Sequence, residues 1–385
     1  MEREVSVSES NPGELWLERD ALQQLIDGLV ARGFEVLGPV VRDGAVLLEP
    51  VRRTDELPRG WRDEQGPGRY RLEATGSDRV FDVLHGHGGL KRLTFAPREE
   101  LLQIETEGVG RPFTARPTVP EARKIAVLGV RACDLAALEV QDRVFLHDRY
   151  PDPYYASRRS GLLLVAVSCT RSVDTCFCTS MGGGPEAKAG FDLALTELDG
   201  GFVVRSGSPA GEELLEALPR TAAPAERLLE EGRALAACAA SMKRGLETDD
   251  LRDLLYDNLN HARWDDVAER CLSCGNCTMV CPTCFCHDER DEPTLDGSGA
   301  VRVREWDSCF SKDHAQIHGM NFRPRTRERY RQWLVHKLAS WIDQFGTSGC
   351  VGCGRCITWC PVGIDLTEEV AAIRGSSGGA AGSSR

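Results

Sequence analysis

A chain of 385 residues, 41% of them hydrophobic, has material for two or three domains with buried cores. Its 47 basic against 59 acidic residues, a net charge of −12, withhold the basic field that nucleic acid or an anionic membrane surface attracts. Apolar runs such as Leu162–Val167 are far short of the roughly 20 residues that cross a bilayer, and the acidic start Met1-Glu2-Arg3-Glu4 is no secretory signal. These features predict a cytoplasmic protein without nucleic-acid or membrane partners.

Taken in chain order, Leu22, Leu25, Ile26, Leu29 and Val30 recur at helical spacing, and the runs 34–41 and 45–51 flank the turn signal Arg42-Asp43-Gly44, so a helix followed by a hairpin is expected. Residues 52–75 mix charges with Pro58, Gly60, Gly66, Pro67 and Gly68 and read as an exposed excursion without chemistry. Ile125–Val130 is a buried-strand run, Asp134 can cap a helix over 135–145, and a second buried strand follows at Leu162–Val167. Strand, helix, strand predicts a parallel βαβ unit with ligands at the carboxyl ends of its strands, where Cys133 and Cys169 stand. Residues 191–206 read as strands and 212–258 as helices broken near Pro219 and Pro224. Tyr330, Leu334, Leu338, Trp341, Ile342 and Phe345 predict an amphipathic helix, and Gly, Ser and Ala from Gly375 to Arg385 a disordered tail. The expected class is α+β: a mixed α/β domain over 1–245, a helical segment, then a ferredoxin-like dicluster domain within 246–374 that carries a helical insert, and the tail 375–385.

Sixteen cysteines are about 4% of the chain, well under a disulfide scaffold, and eleven of them fall between Cys271 and Cys360. In a reducing compartment such density points to metal ligands. Cys271-Leu-Ser-Cys274-Gly-Asn-Cys277-Thr-Met-Val-Cys281-Pro282 has the spacing C-x2-C-x2-C-x3-C-P, and Cys350, Cys353, Cys356, Cys360 and Pro361 repeat it. This is the bacterial ferredoxin run, in which the fourth cysteine ligates the other cluster. One 4Fe-4S cluster is therefore expected on Cys271, Cys274, Cys277 and Cys360, and a second, close to it, on Cys281, Cys350, Cys353 and Cys356. Zinc has no use for the third cysteine of each run or for the trailing proline, although paired C-x2-C alone would admit it.

Thr-Cys-Phe-Cys occurs twice, at 175–178 and 283–286. Cys133, Cys169, Cys176 and Cys178 make a candidate third cluster site, with the helix N-terminus at Cys133 favouring its thiolate, which would make the first half a redox domain by itself. Cys284, Cys286 and Cys309 are a candidate fourth set, one donor short, which His287, Asp288, Asp307 or a borrowed cysteine can complete. Buried structural thiols are the alternative for both sets, and Cys238 in an Ala-rich helix reads as core. One or two clusters beyond the first pair are thus candidates. His314 and His318 are one helical turn apart but lack the intervening Glu of a zinc helix. The arginines at 323, 325, 327, 329 and 331 read as a solvated face, although charge of that sign near a cluster would raise its potential. No G-x-G-x-x-G follows a strand, and Met181-Gly-Gly-Gly-Pro185 is a loop of low specificity. Electrons must then come from and go to other proteins.

Several segments together resemble the beta subunit of cytoplasmic sulfhydrogenases and related NAD(P)-linked nickel–iron hydrogenases, and are similar to the A subunit of anaerobic sulfite reductase. They are Gly129-Val-Arg-Ala-Cys-Asp134, Cys176-Phe-Cys178 before Ser180-Met-Gly-Gly-Gly-Pro185, the stretch from Cys271 to Cys286, Trp306-Asp-Ser-Cys309, Asn321-Phe-Arg323 and the Cys350–Cys356 run. The likeness covers about residues 120–366, and Ala132 stands where such proteins commonly have Pro. It implies an iron–sulfur electron-transfer subunit, not a catalytic one, docked beside a flavoprotein that carries FAD and the NAD(P) site, with a nickel–iron hydrogenase or siroheme sulfite reductase subunit as catalytic partner. The hydrogenase type is favoured. The alternative is direct reduction of sulfur or polysulfide at an atypical cluster on Cys284, Cys286 and Cys309.

Overall fold

The computed structural model describes residues 13–106 and 111–377. The acidic start and residues 378–385 of the expected tail lie outside them. In chain order the strands of the two large sheets and of one hairpin are β1 (Leu15–Glu18), β2 (Glu35–Arg42), β3 (Ala45–Pro50), β4 (Trp61–Gly66), β5 (Arg69–Ala74), β6 (Arg98–Thr106), β7 (Phe113–Pro117), β8 (Ile125–Val130), β9 (Leu162–Val167), β10 (Leu193–Leu198), β11 (Gly201–Ser206), β12 (Thr221–Ala222), β13 (His287–Pro293) and β14 (Gly299–Trp306).

Eight of these form one sheet in the order β12-β1-β11-β10-β9-β8-β2-β3. Its centre is parallel: β2 pairs with β8, β8 with β9, and β9 with β10. The β8–β9 step is the expected βαβ unit, crossing over through the helices Ala132–Phe145 and Pro153–Ser160. Alternate side chains of the strands go to opposite faces. Ala126 and Leu128 pack beneath the helix Ala21–Ala31, whereas Ile125 and Val127 pack beneath Leu135 and Leu138. A central strand covered on both faces must be apolar throughout, which is why both runs were legible.

The second sheet, β13-β14-β6-β7, crosses the expected boundary at 245–246. β14 pairs with β6 from Gly299↔Glu105 to Glu305↔Arg98, so a strand before residue 107 is held by one after residue 298. The first half is therefore interlocked with the second. The 52–75 segment is also more than an exposed excursion. It contains the β4–β5 hairpin, with Asp63 and Gln65 buried and Tyr70 stacked on Trp359, ring centroids 5.0 Å apart. Gly68 N donates to Ile357 O at 3.1 Å, which seats the hairpin tip on the second cysteine run.

The C-terminal core gathers Leu255, Trp264, Phe310, Tyr330, Trp333, Leu338 and Ile373. The expected amphipathic helix is present, but as Thr326–Val335 and Trp341–Phe345 joined by a π-helical turn, His336–Ser340. The last helix, Leu366–Ser377, takes in the first three residues of the segment read as tail. His314 and His318 do not share a helix face: His314 lies in the 3-10 turn Asp313–Ala315, and His318 has φ 50 in the turn of a short hairpin. No described helix is long and apolar enough to cross a membrane.

Candidate metal centres

The two cysteine runs have the same backbone form. In each, the residue before the second cysteine and the residue after it have positive φ: Ser273 at 52 and Gly275 at 75, Gly352 at 67 and Gly354 at 74. Each run then enters a one-turn helix, Asn276–Met279 or Arg355–Thr358. Two left-handed residues flanking a cysteine curl the chain around a point, as three thiols facing one cluster require.

Cys271, Cys274, Cys277 and Cys360 line one cavity, together with Tyr330, Trp333 and Cys356. Burial raises the pKa of the Cys271 thiol and drives that of Cys277 well above its ordinary value, and in both Cys360 and Cys274 add to the shift. Cys281 stands with the second run. Burial pushes Cys350 up to about 12, raises Cys353 and takes Cys356 well above the usual thiol range, with Cys281 reinforcing each. Cys360 thus lies with Cys271, Cys274 and Cys277, and Cys281 lies near Cys350, Cys353 and Cys356. All sixteen cysteines are free of disulfides.

The residues fit a cubane: Cys271, Cys274, Cys277 and Cys360 surround one cavity. A cubane takes one thiolate at each of four corners, so its donors stay spread around a cavity. Buried thiols ionise only against compensating positive charge, which bound iron supplies. Tyr330 Oη and Trp333 Nε1 are buried without a hydrogen-bond partner beside the first cavity, where cluster sulfur would accept from them.

The two sets differ in their surroundings. The first reaches the surface: Cys274 is exposed, as are Leu272 and Val362 on the cavity's rim. Two buried cations attend the second. Lys337 Nζ, on the π-helical turn, lies 3.1 Å from Cys281 Sγ and donates to Thr283 Oγ1 and Gly349 O at 3.0 Å each. Arg355, 1% exposed, donates to Asp134 Oδ1 at 2.7 Å, tying the second run to the helix after β8. Sequence reasoning named neither cation. Lys337 did leave a signal, since it falls on the apolar stripe of Leu334, Leu338 and Trp341, where a lysine needs a partner.

The first-half cysteines lie against this second set. Cys133 packs with Cys353, Val351 and Trp341, and Phe177 N donates to Gly352 O at 3.0 Å. Cys169, Cys176 and Cys353 raise the pKa of Cys178 beyond what burial does, and Cys133 is raised by its burial, then by Asp134, with Cys353 and Cys178 contributing. Burial and the carboxylate beside Cys133 thus shift its thiol in the direction opposite to the one the helix N-terminus favours. Asp134 is also not the cap residue: Arg131 is, and Asp134 accepts from its N–H at 3.4 Å from within the first turn. Cys238 is 2% exposed, as core should be, yet it lies near enough to Cys169 and Cys178 for both to raise it above the burial effect.

Cys284, Cys286 and Cys309 line a further enclosed cavity with Lys337. Of the arginine run, Arg329 is buried and bonds to the carbonyls of Arg323 and Pro324, Arg325 pairs with Glu328 and Arg327 with Asp265, so it is largely a structural network and not a solvated face.

A family model described as a 4Fe-4S dicluster domain matches residues 270–364. The chain is 34% identical over 292 residues to the sulfhydrogenase 2 subunit beta of Pyrococcus furiosus, an alignment that covers 74% of this chain and 82% of that protein. No solved structure matches the chain.

Proposed function

This chain belongs to the sulfhydrogenase beta-subunit family and carries a 4Fe-4S dicluster domain, and from that premise we propose that it passes electrons between a flavoprotein subunit that oxidises or reduces NAD(P) and a catalytic subunit of nickel–iron hydrogenase type. Cys271, Cys274, Cys277 and Cys360 hold one cluster, and Cys281, Cys350, Cys353 and Cys356 hold the next. Four thiolates close each cubane and leave no position for substrate, so these centres transfer electrons without turning anything over.

The observation that carries this reading is the line of thiol sets from surface to interior. The first opens at Cys274 and Leu272. Cys277 of that set borders Cys281 of the second, and Cys353 borders Cys133, Cys176 and Cys178 in the α/β half. A third cluster on Cys133, Cys169, Cys176 and Cys178 would continue the line to the carboxyl ends of β8 and β9. The buried cations Lys337 and Arg355 stabilise added negative charge midway along it.

In the anaerobically purified native complex, NAD(P)H and hydrogen should each reduce the clusters of this chain no more slowly than the complex turns over. Clusters that neither donor reduces on that timescale would reject the relay. Polysulfide turnover by the isolated chain with a reduced dye, beyond that of a free ferredoxin, would instead favour direct sulfur reduction.

A further inference from the structure

The cavity shared by Cys284, Cys286 and Cys309 lies at the open end of the β13–β14 hairpin. His287 pairs with Trp306, and Asp307 N donates to Cys286 O at 2.9 Å, so the register brings the second Thr-Cys-Phe-Cys beside Cys309. Three cysteines from two segments thus face one enclosed space. A larger open cavity of about 630 Å³ adjoins it, lined by Cys286, Cys309 and, from outside the hairpin, His314.

Three thiolates leave a cubane one donor short, and the residues nearest in sequence do not supply it. His287 has Nδ1 on Phe285 O at 2.9 Å and its Nε2 faces Glu289 Oε1 at 3.9 Å, Asp288 is exposed on β13, and Asp307 is occupied by Ser311 Oγ at 2.7 Å and His314 Nδ1 at 2.6 Å. The last contact is the informative one. A carboxylate on Nδ1 fixes the imidazole with its proton on that nitrogen, and leaves the Nε2 lone pair free for a metal. Metal-bound histidines are usually held by such an outer carboxylate. His314 also reaches Cys286, which lies within hydrogen-bonding range of it.

We propose that Cys284, Cys286, Cys309 and His314 hold a further 4Fe-4S cluster, with His314 as its nitrogen ligand and Asp307 as the group that positions His314. The inference rests on the relay reading, and extends it: Cys284 borders Cys281, so this cluster adjoins the second ferredoxin cluster. A neutral imidazole in place of a thiolate lowers the cluster's negative charge and raises its potential, as histidine ligation does in other iron–sulfur centres. Electrons reaching the junction then have a site that holds them more tightly. The fourth donor also closes the cubane, so this site transfers electrons and does not reduce sulfur.

The test uses the full chain, purified anaerobically, with iron and sulfide analysis and pulsed electron paramagnetic resonance of the reduced clusters. The wild type should show strong nitrogen-14 coupling on one cluster signal. His314→Cys should abolish that coupling, keep the iron and lower that cluster's midpoint potential, while Asp307→Asn should weaken the coupling. Cys309→Ser should lose about four irons and four sulfides per chain with both ferredoxin signals retained, which shows that the variant is folded. An unchanged iron content in Cys309→Ser, or a His314→Cys spectrum identical to the wild type, overturns the proposal and leaves the relay standing. Wild-type chain with no cubane signals at all would overturn both.

Discussion

Single residues here act through the space they fill and the charge they place beside the thiols. Lys337, with Nζ 3.1 Å from Cys281 Sγ, stabilises the extra negative charge of a reduced cluster. Lys337→Met should lower the potential of the cluster held by the second run by on the order of 50–100 mV, equivalent to about 1–2 kcal/mol for one electron. A redox titration followed by electron paramagnetic resonance reads this shift, and the first cluster, whose rim is open to solvent, should keep its potential. Gly352 acts through shape. A Cβ there would lie 2.6 Å from Cys178 Cα and from Phe177 O, on a backbone with φ +67. Gly352→Ala should therefore cost about 3 kcal/mol or more, since the left-handed penalty of roughly 1–2 kcal/mol adds to a backbone collision. Gly346→Ala is the control, with a similar φ of +68 but nothing within 4 Å, and should cost only the smaller part in a denaturant titration. The cysteine spacing was legible because ligands must recur at fixed intervals. The glycines' tight approach was not, because it depends on a segment 174 residues earlier in the chain.

Elements were legible where burial is complete or the period is clear. β8, β9 and the helix between them are apolar in patterns with one reading, and so is the hairpin β2–β3. The β4–β5 hairpin was not: its buried Asp63 and Gln65 answer to partners far along the chain, such as Arg171 and Thr358, and a sequence window sees only charge. The β6–β14 pairing was hidden for the same reason, since neither strand's pattern names its neighbour. Its strength rests partly on Glu99, with a side chain 2% exposed and bound by both Arg158 and Arg304. Removing one partner of a buried ion pair strands the other. Glu99→Ala should therefore lower stability by about 3–5 kcal/mol, seen as a lower denaturant midpoint with an unchanged slope.

At the scale of the whole molecule, the cluster-binding half and the α/β half share one sheet and one seam of thiols. Lys91 from the first half donates to Thr278 O at 3.2 Å and Met279 O at 3.1 Å within the first cysteine run, and Asp134 grips Arg355 within the second. A protease cut near residue 245 should accordingly leave the two pieces associated on a sizing column, unfolding in one transition. Two independently folded pieces would contradict the interlocked architecture. Of the first-half cysteines, Cys169, Cys176 and Cys178 neighbour one another as well as Cys353 of the second half.

The most direct test of the account is the crossed ligation, because the order of the relay follows from which cysteines share a cluster. Cys281→Ser, purified anaerobically and examined reduced by low-temperature electron paramagnetic resonance, should lose or alter the same signal that the double variant Cys350→Ser/Cys353→Ser removes, and should leave the signal dependent on Cys271, Cys274 and Cys277 in place. A Cys281→Ser spectrum in which only the latter signal is disturbed would contradict it.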